Sequence, residues 1–452
     1  MPTSNRTAAG SAPDGRPLPD EAVDAVLAAE LGDALVTRAA DIDPRYFTAY
    51  NEPAGVRPRA LVRPCSVDDV SRTLALGGEV VLSMERFAGI EALDAAAGTI
   101  TVRAGTPLQT VQEAAEAAGF TFGVDLGARG SCQIGGMLAT NAGGTRAIRY
   151  GMMREQVLGL EAVLADGTIV SSMNRMLKNN AGYDLKQLFI GSEGTLGVVT
   201  RAVLRLHPLL AAPATALCRV RDYDAVVALW NRVRTLPEVV SFEAMWPAFY
   251  DYVARHTPGV SAPFIGDGGF VVLIECATSA PGGDAHQALE TGLAAGFDAG
   301  LVDDAVLATS ERQARDLWTL REGLAIDALP QLVNFDVSLP TGELGTFAER
   351  CEAALRARWP ALTCLFFGHV GDGNVHIGVS LAEMTDADAD ALDHCVYAVV
   401  RDMGGSVSAE HGIGVLKRPY LAHTRSDAEI GLMRRLKAAL DPRGILNPGK
   451  VL

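Results

Sequence analysis

The chain has 452 residues, 48% apolar and 21% charged, enough for two domains with a sizeable core. A formal charge of −15 speaks against nucleic acid or an anionic membrane surface as a partner, because both attract basic protein. Seven cysteines without a CxxC pair give neither a disulfide framework nor a zinc knuckle, and no apolar run reaches the ~18–20 residues of a membrane span. A cytoplasmic setting is expected, with peripheral membrane attachment and a homodimer both left open.

The opening "MPTSNRTAAGSAPDGRPLPDE" lacks an apolar h-region and reads as a disordered lead, not a signal peptide. Apolar residues at helical spacing predict a helical segment over 20–40. Between about 56 and 210, short strands ("RALVRP", "EVVLSM", "TITVRAG", "GLEAVLADGTIV", "LGVVTRAVLRL") alternate with helices such as "PLQTVQEAAEAAG". Pro208 and Pro213 break the pattern. Strands then alternate with Ala-rich helices to about residue 400. The fold class is α+β, divided as 1–55 (lead and helical segment), 56–210 (first domain), 211–403 (second domain) and 404–452 (a C-terminal segment).

Glycine concentrates in "GARGSCQIGGMLATNAGGTRAIRYG" (127–151), "NNAGYDLKQLFIGSEGTLGVVT" (179–200) and "LNPGK" (446–450). Backbone without side chains can approach a flat or charged ligand closely, so a cofactor bed is one reading and a set of surface turns the other. No GxGxxG links a strand to a helix, so the dinucleotide fingerprint of NAD enzymes is missing.

Arg321 lies within the apolar stripe of "ARDLWTLREGLA". A guanidinium there needs an anion, whether an internal carboxylate or a substrate. "GHVGDGNVH" (368–376) reads as strand, turn, strand. A two-residue Asp372-Gly373 loop predicts His369 opposite His376, with β-carbons ~4.5–5.5 Å apart, close enough to share a metal. In "SVSAEHGIG" (406–414), Glu410 and His411 on extended backbone point to opposite sides; they read as a surface pair or as a third ligand with a separate partner. Two imidazoles and a carboxylate suit Zn²⁺, Mn²⁺, Co²⁺ or Fe²⁺.

Taken together, "DLGARGSCQIGGMLATNAGG" and "KNNAGYDLKQLFIGSEGTLG" resemble the FAD-linked 2-hydroxy-acid dehydrogenases of the vanillyl-alcohol-oxidase type, across residues 55–452. The branch they look most like is the D-2-hydroxyglutarate dehydrogenases, with D-lactate dehydrogenases and the glycolate oxidase flavin subunit as near kin. The resemblance implies an N-terminal FAD-binding domain and an α+β cap domain with an antiparallel sheet. It implies flavin contacts at Gly127, Ser131, Gly135, Gly136, Thr140, Asn141, Gly143, Gly144, Glu193, Gly194, Val199 and Asn447. It implies metal ligands His369, His376 and Glu410, base His411, and Arg321 on the substrate carboxylate. The activity implied is FAD- and metal-dependent oxidation of a D-2-hydroxy acid, with electrons passed to a quinone or an electron-transfer protein.

The chain departs from that pattern at Ala325, Asn334 and Gly378, where the resemblance leads one to expect Thr, Lys and Asn. A larger departure lies in "RTLALGGEVVLSMERF" (72–87): relatives carry a strand and a Gly-rich pyrophosphate loop there, and roughly two dozen residues are absent. Three lost N–H bonds at ~1.5–3 kcal/mol each would weaken flavin binding by about three to six powers of ten. The alternative reading is therefore a flavin-deficient, inactive relative that binds metal or serves as an interaction subunit.

Overall fold

A computed structural model describes residues 20–47, 58–76, 80–211, 213–280 and 282–452. The lead (1–19) and residues 77–79, where the absent pyrophosphate loop is expected, lie outside the described residues.

The helix Asp20–Leu31 is shorter than predicted. Gly32, at φ 89°, ends it, and β1 (Val36–Arg38) follows as a strand instead of more helix. The reason is packing: Leu35 and Val36 join Leu27, Leu31, Ala60 and Val62 in one apolar cluster, which β1 closes by pairing antiparallel with β2 (Ala60–Val62). After the helix Val67–Leu76, β3 (Val80–Leu82) returns parallel to β2.

A five-stranded antiparallel sheet comes next. It is built from β4 (Ile90–Asp94), β5 (Thr99–Arg103), β7 (Val157–Val163), β8 (Ile169–Ser172) and β9 (Val198–Arg205), in the order β4-β5-β9-β7-β8. Its apolar face packs on the helices Leu108–Ala117 and Ile134–Thr140. The chain leaves this sheet through a short pair, β6 (Phe120–Thr121) with β10 (His207–Pro208).

The second sheet has seven strands: β11 (Ala214–Val220), β12 (Val239–Met245), β13 (Phe270–Cys276), β14 (Asp304–Leu307), β15 (Val333–Ser338), β16 (Thr363–Gly368) and β17 (Asn374–Ser380). All pair antiparallel, in the order β14-β11-β13-β12-β16-β17-β15. Side chains alternate between two apolar layers, as period 2 requires. Phe242, Ala244, Phe335, Val337, Val375 and Ile377 enter the larger cluster. Met245, Leu365 and Phe367 face the other side, where Pro247–His256 and Glu311–Glu322 cover them. Glu243, Asp336 and His376 fall between residues of the first set, so they share the face of the second.

The final helix, Asp427–Leu440, ties back to the first domain: Lys437 Nζ donates to the Thr195 carbonyl at 2.9 Å and the Leu446 carbonyl at 2.7 Å.

At the crossing, His207 Nε2 lies 2.9 Å from Gln156 Oε1 and its ring packs on Tyr150. Burial, then the Arg205 and Arg149 charges, push this imidazole down to about 4 from an ordinary 6.5. Between those values the unfolded chain binds a proton that the folded one does not, so stability falls as pH drops from 6.5 towards 4. Urea unfolding of His207→Gln should show a flatter pH dependence across that window; an unaltered slope would remove His207 as a contributor.

Candidate active site

β16 and β17 do not pair as predicted. Phe367, not His369, stands opposite His376, and residues 369–373 form a longer turn. Gly373, at φ 85°, packs against the Leu339 backbone, where a Cβ could not fit. The Asp372 and Asn374 amides both donate to the His369 carbonyl, at 3.1 and 3.2 Å. A shift of two residues preserves strand parity, so the two imidazoles still meet on one side, with ring centroids 5.3 Å apart and planes at 83°.

Behind each imidazole stands a buried carboxylate that the sequence reading overlooked. Glu243 Oε1 is 2.8 Å from His369 Nδ1. Its other oxygen accepts from Arg321 Nε at 2.7 Å and pairs with Nη2 at 2.5 Å. Burial favours neutral Glu243, but Arg321 and then His369 outweigh it and hold the carboxyl below its usual range. Burial likewise disfavours charge on His369, yet Glu243 lifts it to about 9. Burial, followed by the neighbouring His369, pushes His376 down, which keeps it a neutral donor.

Asp336, opposite His376 on β15, is the second carboxylate. Its Oδ2 accepts the consecutive amides of Ala409, Glu410 and His411 at 3.1, 2.8 and 3.0 Å. Three adjacent N–H groups converging on one oxygen cannot belong to extended backbone, so the expected opposite facing of Glu410 and His411 is corrected. Both turn towards the histidines: His411 stacks on His376 at 6.4 Å, and one ligand atom each from His369, His376 and Glu410 lie within 4.8 Å of one another. Asp336, Glu410 and His411 form an overlapping group of the same size. Asp336 Oδ1 is buried without a hydrogen-bond partner, 3.8 Å from His376 Nδ1. Lys417 Nζ donates to the Asp336 carbonyl at 3.1 Å.

These donors fit a divalent cation. To bind a cation His369 would give up its Nε2 proton while Glu243 keeps the hydrogen on Nδ1, the arrangement by which a carboxylate orients a metal-binding imidazole. Glu410 Oε1 accepts the Gly144 amide at 2.8 Å, leaving its second oxygen for an ion.

Arg321 is buried beside His369, with Nη2 3.4 and 3.5 Å from the two ring nitrogens. Of its two expected anions, the internal one is present. Glu243 occupies the Nε–Nη2 edge, and Nη1 has no partner among the described residues.

The glycine-rich stretches converge beside this site, although not every residue faces outward. A Cβ at Gly127 or Gly136 would project into open space, which suits the bed of a flat ligand. Gly135 is needed instead for its approach to Ala104, and Gly143 for its approach to Glu410. Gly144 has φ 116° and abuts the Asp125 carbonyl. Asn141 (φ 53°) takes the Arg154 amide on its side-chain oxygen, and Thr140 Oγ1 turns back to the Gly136 carbonyl. Ser131 Oγ turns back to the Ala128 carbonyl, while Val199 points into the core of the first domain. Glu193 (φ 52°) spends its carboxylate on the amides of Ile413 and Gly414, at 2.7 and 2.8 Å. Asn447 donates to the Glu193 carbonyl at 2.6 Å, against Gly194.

A two-domain α+β flavoprotein with an antiparallel cap sheet is the class these features define. Two solved structures share the fold: p-cresol methylhydroxylase, with a TM-score of 0.74 at 15% identity over 94% of this chain and 95% of that one, and 4-ethylphenol oxidase from Gulosibacter chungangensis, with a TM-score of 0.69 at 18% identity over 98% of each. Residues 67–172 match the family described as FAD binding domain, and residues 210–451 match FAD linked oxidases, C-terminal domain. The chain is 39% identical over 389 residues to D-2-hydroxyglutarate dehydrogenase of Xanthomonas citri pv. viticola, covering 84% of this chain and 80% of the relative. It is 40% identical over 378 residues to the mitochondrial D-2-hydroxyglutarate dehydrogenase of Bos taurus, covering 83% and 69%. The chain belongs to the FAD-linked oxidase family and is an FAD-dependent oxidoreductase.

Removing Glu243 would leave the Arg321 charge buried and unpaired. Glu243→Ala should therefore cost about 3–5 kcal/mol in urea unfolding, and adding Arg321→Met should restore part of it. Equal stability of the single variant and the wild type would contradict the buried pair.

Proposed function

We propose that the protein oxidises a D-2-hydroxy acid to the 2-oxo acid, with FAD as first electron acceptor and a quinone or electron-transfer protein as the next. A divalent cation, zinc before manganese, cobalt or iron, would be held by His369, His376 and Glu410. The observation that carries this reading is the meeting of those three donors where Glu410 is fastened to Gly144 of the flavin-binding domain. The names of the curated relatives support the same head chemistry. When bound, the flavin would supply a two-electron acceptor for the Cα hydride, and the cation, held by His369, His376 and Glu410, would supply Lewis-acid stabilisation of the substrate oxygen.

The side chains do the rest. His411 accepts the hydroxyl proton as the C–O single bond becomes a carbonyl, imidazole being suited to that task near neutral pH. Asp336 holds the backbone of residues 409–411, which fixes the spacing between the Glu410 carboxylate and the His411 ring. Arg321, oriented by Glu243, offers Nη1 to the substrate carboxylate.

D-lactate, D-2-hydroxyglutarate and D-malate, offered separately, should reveal the reaction by bleaching the flavin absorption of the purified holoenzyme. His411→Ala should lower turnover by about 10²–10⁴-fold while calorimetric zinc titration stays at the wild-type affinity. Unchanged turnover would exclude His411 as the base; loss of zinc with loss of turnover would make it a ligand instead.

A further inference from the structure

The substrate head sits at the histidines, so what lies along the same face of the sheet decides which tail it can carry. In β17 the residue two beyond His376 is Gly378, about 7 Å further along the strand, close to the span of a side chain of three or four carbons. Its partner on β15 is Asn334, and its partner on β16 is Leu365. A Cβ on Gly378 would lie 3.4 Å from Leu332 Cδ1, 3.6 Å from Ile326 Cδ1 and 3.8 Å from Asn334 Oδ1. The place a side chain on Gly378 would take is thus bordered, at van der Waals distance, by two methyl groups and one neutral amide. Phe367, opposite His376, extends the apolar wall back towards the head. None of these six residues carries a positive charge. Arg321 has half of its guanidinium engaged by Glu243, and Lys417 is fastened to Asp336 and to Ser408 Oγ at 3.1 Å.

We infer that this row is a tail subsite for an uncharged chain, so that the preferred substrate is an aliphatic 2-hydroxy monocarboxylate and not a dicarboxylate. The inference rests on the function proposed above and sharpens it. A terminal carboxylate laid between Ile326 and Leu332 gives up water for methyl groups and meets no compensating cation among these six residues. A terminal methyl in the same place is at home.

The test compares two acids with the same number of carbons, D-2-hydroxyvalerate and D-2-hydroxyglutarate, which differ only in a terminal methyl against a carboxylate. The zinc-loaded holoenzyme is assayed for kcat/KM with each. Separately, the affinities of 2-oxovalerate and 2-oxoglutarate are measured by calorimetry, a readout that does not depend on turnover. Hydroxyvalerate and oxovalerate should each be favoured at least about tenfold. Asn334→Lys, which sets a cation beside Gly378 at an exposed position, should shrink or invert both ratios. A glutarate preference in the wild type, or ratios indifferent to Asn334→Lys, would overturn the tail subsite and leave the oxidation of 2-hydroxy acids standing. If neither acid reduces the flavin, the proposed reaction fails, and the calorimetric ratio alone then decides the subsite.

Discussion

Two carboxylates buried on one face of a β-sheet are the constraint on which the site depends. Glu243 and Asp336 are each 1% exposed, and a carboxylate so placed is tolerable only when its charge is answered. Glu243 is answered by Arg321 and His369. Asp336 is answered by three backbone amides, with His411, Lys417 and His376 around it, and these hold it well below the usual carboxylate range against its burial. Each solution fixes a group that chemistry needs. Satisfying Glu243 orients an imidazole and a guanidinium; satisfying Asp336 bends the chain so that Glu410 and His411 arrive side by side.

The alternation of residues in β12, β15 and β17 explains why this works. Apolar neighbours such as Phe242 and Ala244, Phe335 and Val337, and Val375 and Ile377 drive one face into the larger core. The polar residues between them have no choice but the other face, and pairing across β15, β16 and β17 sets Asp336, His376 and Phe367 in a row. The register that buries the core therefore also builds the site. A slip by one residue would exchange the two layers and place Glu243 and Asp336 among the phenylalanines.

Much of this was legible in the sequence, and the exceptions have physical causes. The alternating strands, the glycine-rich stretches and the grouping of His369, His376 and Glu410 all follow from local pattern and family resemblance. The hairpin register was misread because Asp-Gly suggests a two-residue loop, whereas the close approach of Gly373 to Leu339 favours a wider turn. The N-terminal helix was extended too far because amphipathic spacing continues past Gly32, while tertiary pairing with β2 turns residues 36–38 into strand. Glu243 and Asp336 were passed over because a single acid in a strand looks like an ordinary solvent-facing position. Their signal was available all the same: "VVSFEAM" and "VNFDVS" each hold one carboxylate in a run that is otherwise apolar or neutral, and such a run predicts burial on both faces, which an unpaired acid cannot accept.

The site is also a junction. Glu410 reaches across to the Gly144 amide, Glu193 reaches back to the amides of Ile413 and Gly414, and Lys437 and Asn447 bind carbonyls of residues 193–195. A side chain on Gly143 would displace the Glu410 carboxylate that lies against it. The C-terminal segment is therefore clamped between the two large sheets, and the same bonds that hold the domains together set the position of the third metal-competent donor. Any motion that separates cap from flavin-binding domain must break either the Glu410–Gly144 bond or the amide bonds of residues 409–411 to Asp336, since the Glu410 carboxylate belongs to the first domain by hydrogen bond and its backbone to the cap.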